Sequence, residues 1–197
     1  LTQPKTIQLN GDNVGHLTPN QRRALGILAA PEERLGHAAA PDMDLTENSM
    51  LTAMIRKKLS SAGFLDWKQA KDFAQRVIDE FDVRTPGPQS VARSLSGGNL
   101  QKFVIGREVL QDPNVLIVNQ PTWGVDAAAA AAIRQSLLDL AIKGAAVIVI
   151  SQDLDELIEI STSFSALNTG RLSKIQSMAE ISLDEIGLLL GGANAAA

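Results

Sequence analysis

No cysteine occurs in this chain of 197 residues, which excludes disulfides and thiolate metal sites and leaves the compartment open, with the cytosol as the default expectation. Histidine is almost as scarce. His16 and His37 are the only two, far apart in sequence and without a nearby set of ligands, and both read as surface-loop residues. No run of about 18 uninterrupted apolar residues is present, so nothing in the sequence reads as a membrane-spanning helix. The N-terminal residues lack the basic-then-apolar layout of a signal peptide. There is no basic excess either: 18 lysines and arginines against 22 aspartates and glutamates give a net charge of −4, which argues against a general nucleic-acid binder. No internal repeat is visible, and low complexity is confined to the alanines at 127–132 and 195–197.

What is present is ordinary globular composition, 45% hydrophobic and 20% charged, at a length able to bury a sizeable core as one domain or as a domain with a small lobe. Ile7 and Leu9 alternate with polar neighbours, and Asn10-Gly11-Asp12 has turn chemistry, so the first residues read as strand, turn, strand. Thr18-Pro19-Asn20-Gln21 predicts a helix start, with Thr18 as cap and Gln21 in the capping-box position. Residues 26–30 form a short apolar strand closed by Pro31. Glu32, Glu33 and Arg34 follow it, and a solvated loop and a functional element are both open readings for them.

Residues 46–60 and 66–81 predict helices, the second with Ala70, Phe73, Ala74, Val77, Ile78 and Phe81 on one stripe and with Trp67 in the core. Arg84-Thr85-Pro86-Gly87-Pro88 breaks the pattern as a linker, so 45 to about 84 reads as a helical lobe. Beyond it, the continuous apolar run 115–118 is the pattern of a parallel strand covered on both faces, and 145–150 reads as a second buried strand. Residues 128–140 between them are helical, alanine being the best helix former. A short helix over 153–160 has Asp155 and Glu156 as exposed first-turn acids. A hairpin around Asn168-Thr169-Gly170 is expected at the sheet's edge. The capping box Ser182-Leu183-Asp184-Glu185 starts a last helix that stops at Gly191-Gly192. Strand and helix alternating at this spacing predict an α/β fold with a mostly parallel sheet.

The most informative stretch is Leu95-Ser96-Gly97-Gly98-Asn99-Leu100-Gln101-Lys102. Leu100, Phe103, Val104 and Leu110 fall at helical spacing, predicting a helix over 99–111. Ser96 and the two glycines then sit at its N-terminus, where unpaired N–H groups and the positive end of the dipole favour an anion. Glycine permits close approach to those N–H groups, and the serine hydroxyl adds a donor. Ser-Gly-Gly alone would be a capped loop-to-helix junction. The whole octapeptide resembles the signature motif of ATP-binding cassette (ABC) proteins, in the Leu-Ser-Gly-Gly-Asn-x-Gln-Lys form of sugar and nucleoside importers.

Three further stretches extend the resemblance over essentially the whole chain, from about Thr6 to Gly192. The strand at 115–118 runs into Asn119-Gln120, at the carboxyl edge where α/β sheets place ligands. The resemblance implies Asp-Glu at these positions, for Mg²⁺ and for the attacking water. Asn119 and Gln120 keep the shape, but neither carries negative charge nor accepts a proton. Gln152 stands where many cassettes carry a histidine that touches the γ-phosphate. Gly124-Val125-Asp126 matches the D-loop that contacts an opposing cassette, so for Trp123 both packing and cassette contact are open readings. Glu32, within Ala30-Pro31-Glu32-Glu33-Arg34-Leu35-Gly36-His37, falls near the glutamine of the loop that meets the membrane subunit. Together with Asp44-Leu45-Thr46-Glu47-Asn48, this wording is similar to the second cassette of nucleoside or simple-sugar import ATPases, which fuse two cassettes. Gly-x-x-x-x-Gly-Lys-Ser/Thr, the phosphate loop of such proteins, occurs nowhere in the chain. Since that loop lies upstream of the opening strands in the family, Leu1 is expected to begin just after it.

The resemblance thus implies a partial ABC-type P-loop NTPase domain: opening strands and the glutamine-loop region over 1–44, a helical lobe over 45–88, the signature helix and α/β core over 89–192, and a tail over 193–197. Ser96, Gly97, Gly98, Asn99 and Asp126 would meet ATP and Mg²⁺ shared with a partner cassette, in the same polypeptide or a dimer. Asn119, Gln120 and Gln152 would mark a degenerate site of the chain's own. The other expected partners are membrane permease subunits, at the cytoplasmic face of the membrane, and not nucleic acid. Two other classes fit less of the sequence, a non-catalytic binding or scaffolding module and a cassette ATPase of DNA repair or chromosome maintenance. Against the latter stand the lack of long heptads and of a basic stripe. Lacking the loop that cradles phosphates, this chain on its own is expected to bind Mg-ATP no tighter than about millimolar, the weak end of the affinity scale. Titration calorimetry checks this, and a micromolar dissociation constant would reveal another phosphate site.

Overall fold

The computed structural model describes residues 7–61 and 63–192, and the expected tail at 193–197 lies outside them. The chain divides into two compact units, Leu1–Ile150 and Ser151–Ala197. In the first, β1 (Gln8–Leu9) and β2 (Asp12–Asn13) pair antiparallel. Asn10 and Gly11 join them at φ of 52° and 90°, the two left-handed residues that a tight hairpin requires. Helix α1 (Pro19–Ala24) opens on the expected capping box of Thr18 and Gln21. It leads into β3 (Ile27–Ala30).

Helix α2 (Leu45–Ala53) is shorter than the sequence pattern predicts. Beyond it the chain turns, with Lys58 at a left-handed φ of 54° and the Leu59 amide donating to the Met54 carbonyl at 2.9 Å, into a small hairpin of β4 (Ser60–Ser61) and β5 (Phe64–Leu65). Helix α3 (Trp67–Glu80) follows the predicted stripe, burying Ala70, Phe73, Ala74, Val77 and Ile78. Trp67 is not in that core. As the first helical residue after the Asp66 cap it lies off the stripe and is 50% exposed. After the linker come α4 (Gly97–Val109), β6 (Val115–Asn119), α5 (Ala127–Ile142) and β7 (Ala146–Ile150). Helix α4 thus begins two residues before the predicted start, directly on its Ser96 cap.

Strands β3, β6 and β7 form a parallel sheet in the order β3-β6-β7. Leu28 and Ala30 pair with Leu116 and Val118 in register, and these four bury one face of the sheet. The other face differs from expectation. Ile148 and Ile150 are 50% and 51% exposed, so β7 is not a buried strand, and β6 is fully buried only on alternate residues. Helices α4 and α5 both pack on the sheet and on each other, so they share a face and leave the opposite one open along β7.

At the centre stands α4, where every residue from Leu100 to Glu108 is buried, polar ones included. Sequence spacing predicts only a stripe; contacts with α2, α3, α5, β3 and β6 enclose the whole helix. Its charged pair is fully built in. Glu108, with a side chain 0% exposed, accepts from Arg107 Nε at 3.0 Å, Arg23 Nη1 at 2.9 Å and Gln111 Nε2 at 3.2 Å. Arg107 also donates to the carbonyls of Asn48 (3.1 Å) and Ala38 (2.7 Å), so α4 holds the loop ahead of α2. Burial lowers the pKa of the Arg107 guanidinium, and the Glu108 carboxylate opposes that shift. Asn48, also buried, closes the same loop by donating to the carbonyls of Ala40, Met43 and Asp44.

In the second unit, α6 (Leu154–Ile160) starts on the Asp153 cap. Strands β8 (Ser163–Phe164), β9 (Leu167–Asn168), β10 (Arg171–Leu172) and β11 (Gln176–Ser177) precede α7 (Leu183–Leu190). The hairpin around Thr169-Gly170 forms, but as the two-stranded sheet β9–β10 rather than as the edge of the parallel sheet. Helix α7 has the predicted capping box and stops at Gly191. Phe164, Ala166, Ile186 and Leu189 make a small core. Asp155 is exposed as expected, whereas Glu156 is 3% exposed and belongs to the buried side of its helix. No helix among the described residues is long and apolar enough to cross a membrane.

Two substitutions test this packing. A Cβ at Gly106 would come within 2.5 Å of the Phe81 ring, so Gly106→Ala is expected to destabilise by about 1–3 kcal/mol through overpacking. Arg107→Ala strips Glu108 of one partner and empties a fully buried site, for a larger expected loss of about 3–5 kcal/mol. Urea unfolding followed by circular dichroism measures both, and Arg107→Ala is expected to have the lower midpoint.

Candidate functional site

The N-terminus of α4 is built as its sequence suggests. Ser96 has extended backbone (φ −62°, ψ 154°), and its Oγ accepts from the Asn99 amide at 3.4 Å and from Asn99 Nδ2 at 2.9 Å. The hydroxyl therefore serves the helix as an acceptor and keeps its own proton to donate. Asn99 is fastened from the other side, its Oδ1 accepting from the Arg84 amide at 2.9 Å, which ties the linker to the turn. Ser96 and Gly97 are exposed and Gly98 is half-buried.

Both glycines are set by close approach. A Cβ on Gly98 would lie 3.3 Å from the Gly124 carbonyl and 3.6 Å from Val125 Cα, so the signature turn rests directly on the segment matching the D-loop. A Cβ on Gly97 would meet Arg34 Nη1 at 2.9 Å. Gly124 has φ of +69° and also faces the Arg34 guanidinium. Asp126 caps α5 by accepting from the Ala129 amide at 2.9 Å. That bond holds its carboxyl below the usual range against opposing desolvation, with a lesser contribution from the field of Lys102.

Strand β6 ends on Asn119, half-buried, followed by Gln120, which is 7% exposed and held in the left-handed region at φ 51°. The Gln120 amide donates to the Ile150 carbonyl at 2.8 Å, and its carbonyl accepts from the Trp123 amide at 3.2 Å, so the chain reverses sharply off the sheet edge. Glu32 Oε2 stands 3.5 Å from Asn119 Nδ2, at the outer limit of a hydrogen bond. Glu32, Gly97, Asn119 and Trp123 line one open cleft of about 810 Å³. Trp123 is 65% exposed and does not contribute to the core. Asp126 faces a separate groove of about 380 Å³ with Asp82, Lys102 and Ala129. Gln152 is exposed, next to the Asp153 cap of α6 in the second unit. His16 and His37 are exposed, and His37 Nδ1 lies 2.7 Å from Glu33 Oε2.

Two residues join these stretches that carried no role in the sequence reading. Gln101, 1% exposed, donates through Nε2 to the carbonyls of Gln120 (3.2 Å) and Pro121 (2.8 Å). Its Oε1 accepts from Arg34 Nε at 2.8 Å, and Arg34 Nη2 reaches the Trp123 carbonyl. Burial lowers the pKa of the Arg34 guanidinium. These bonds span 67 and 89 residues, a pairing that no local pattern discloses.

No family model matches the chain. Among curated proteins it is 36% identical to the guanosine import ATP-binding protein NupO of Bacillus subtilis, over 97% of this chain and 38% of that protein. It is 34% identical to the nucleoside import ATP-binding protein NupA of Lactococcus lactis, over 96% and 37%. With the galactose/methyl galactoside import ATP-binding protein MglA of Salmonella typhimurium it shares 35%, over 92% and 36%. The chain thus spans little more than a third of the length of these relatives. Among solved structures, the dimeric ATP-binding cassette MJ0796 bound to ADP and Pi superposes with a TM-score of 0.71 at 18% identity, over 86% of this chain and 72% of that one. An ATP-binding subunit of an ABC transporter gives 0.71 at 22% identity, over 93% and 75%. The chain has the fold of an ABC ATPase, and its homologues are the ATP-binding proteins of nucleoside and sugar importers.

Proposed function

We propose that this chain is the larger part of the second cassette of an ABC importer ATPase for nucleosides or simple sugars, and that its signature turn completes the ATP site of a partner cassette. The observation that carries this reading is the Ser96-Gly97-Gly98 turn at the head of the 13-residue α4. Its first two N–H groups belong to glycines and have no acceptor within the helix. The Ser96 proton adds a third donor. Such a set fits one end of a triphosphate, as helix N-termini fit anions generally. Identity of 34–36% to import ATP-binding proteins, over 92–97% of this chain, supports an importer over a DNA-maintenance ATPase or a passive scaffold. In this reading residues 45–88 act as a helical lobe, and Glu32 lies in the loop facing membrane permease subunits. The assembly works at the cytoplasmic face of the membrane.

ATP with Mg²⁺ supplies the phosphoryl-transfer chemistry when bound. The chain's own residues divide between the two sites of a head-to-tail pair. Ser96, Gly97, Gly98 and Asn99, backed by Asp126 in the neighbouring segment, serve the partner's nucleotide by placing donors where charge builds up. At the other nucleotide the family resemblance puts Asn119, Gln120 and Gln152, which offer amides alone. None of them can accept a proton or neutralise a metal charge at neutral pH, so the catalytic carboxylates of the working site come from the partner.

The test is a variant series in the full-length protein assembled with its permease. Ser96→Ala removes one donor and is expected to lower ATP turnover by roughly 10²–10³. Gly98→Asp adds a repelling charge and crowds the Gly124 carbonyl, and is expected to be worse. Gln120→Ala is expected to have the least effect, because that position lacks its acid already. Circular dichroism checks that each variant is folded. Normal uptake by Ser96→Ala and Gly98→Asp, with Gln120→Ala inactive, would sink the reading and make the end of β6 the working site.

A further inference from the structure

Three stretches meet at the open cleft: the loop after β3, the signature turn, and the turn at 120–126 that follows β6. Nothing in their sequence spacing connects them, yet a single side chain touches all three. Arg34 donates from Nε to Gln101 Oε1 at 2.8 Å and from Nη2 to the Trp123 carbonyl. Gln101 passes the link on, donating to the carbonyls of Gln120 and Pro121 at 3.2 and 2.8 Å. The guanidinium lies in a slot between two glycines. A Cβ on Gly97 would stand 2.9 Å from Nη1, and one on Gly124 3.3 Å from Nη2.

We infer that Arg34 is a positioning residue for ATP turnover, one that locks the signature turn and the 120–126 turn into a single rigid surface. The inference rests on the proposed role of the signature turn and adds a residue to it. The chemistry suits arginine in particular. Two donors diverging from one planar group reach two different acceptors at once, whereas an ammonium on a flexible stem would satisfy one of them. Gln101 is 1% exposed, so once Arg34 is removed its Oε1 loses a charged donor in a place water reaches poorly. With the slot emptied, Gly97 and Gly124 have no side chain of their own to keep the two turns apart at a set distance. Ser96 and Gly98 touch the reacting nucleotide in this reading and Arg34 does not. Its effect is therefore on the placement of donors, where an error of about 1 Å can lower the rate roughly 10²-fold.

The experiment uses the full-length protein with its permease and compares Arg34→Ala and Arg34→Lys with the parent. Turnover is expected to fall roughly 10²-fold in kcat for Arg34→Ala. KM for ATP is expected to stay near the parental value, since the phosphate-holding groups of the competent site lie elsewhere. Arg34→Lys is expected to fall with it, because charge without the fork leaves one acceptor unfilled. Hydrogen exchange followed by mass spectrometry supplies a readout independent of turnover. Peptides covering 95–102 and 119–126 are expected to exchange faster in both variants, while the peptide covering α3 keeps its parental protection. A parental kcat in Arg34→Ala would overturn the inference, as would unchanged exchange in the two turns. Faster exchange throughout, α3 included, would also overturn it by showing general destabilisation. Gly98→Asp, measured alongside, separates the two ideas. If it is inactive while Arg34→Ala is normal, the signature reading stands and the Arg34 inference falls. If Gly98→Asp turns over normally, the signature reading falls and takes the turnover role of Arg34 with it.

Discussion

Everything in the first unit is arranged around a helix that has no solvent side. From Leu100 to Glu108 every residue of α4 is buried, and five other elements pack against it. A helix carrying Gln101, Lys102, Arg107 and Glu108 can be enclosed in this way only if each polar group is supplied with partners, since an unpaired buried charge is far more costly than a neutral one. The supply is specific. Arg107 and Glu108 pair with each other and, through Arg23, Gln111 and two backbone carbonyls, with α1 and the loop before α2. Lys102 Nζ donates to the Asp82 carbonyl at 2.7 Å and fixes the segment after α3. Gln101 fixes the end of β6. The helix is thus held from all sides, and its N-terminus emerges from the packing in one orientation.

That rigidity gives the Ser96-Gly97-Gly98 turn its significance. In the proposed role, its donors are presented not by a mobile loop but by the first residues of the most enclosed helix in the unit, so their direction is set before a ligand arrives. The glycines contribute by being small rather than flexible. Gly98 allows the 124–125 backbone to lie against the turn, and Gly97 allows Arg34 to do so. Preorganisation at the turn and specific polar burial in the helix are two aspects of one construction.

The fold was largely legible in the sequence where structure is local. The start of α1 and the boundaries of α3 and α7 follow from caps and apolar stripes, since Thr18 with Gln21 and Ser182 with Glu185 both bond as the pattern predicts. Reading failed where burial depends on what packs from outside. An apolar run such as 145–150 looks the same whether one or both faces are covered, and β7 has one face open. Trp67 and Glu156 were misplaced for the same reason: aromatic and acidic residues have average preferences, and a particular site overrides them. The early end of α2, followed by a left-handed Lys58, is marked by no glycine or proline between 46 and 60, so no local signal announces it.

By itself, then, the sequence determined the signature octapeptide, its position at a helix N-terminus, the parallel α/β class, and the absence of an acid at Asn119 and Gln120. These are properties of residue type and short spacing, written in consecutive positions. Only the tertiary structure decided that α4 is enclosed on every side, that Glu32 lies beside Asn119, and that Arg34 joins Gln101 to Trp123 across 67 and 89 residues. Hydrogen bonds at such separations depend on where the folded backbone brings distant loops together, and a single sequence carries no periodicity from which that meeting could be read.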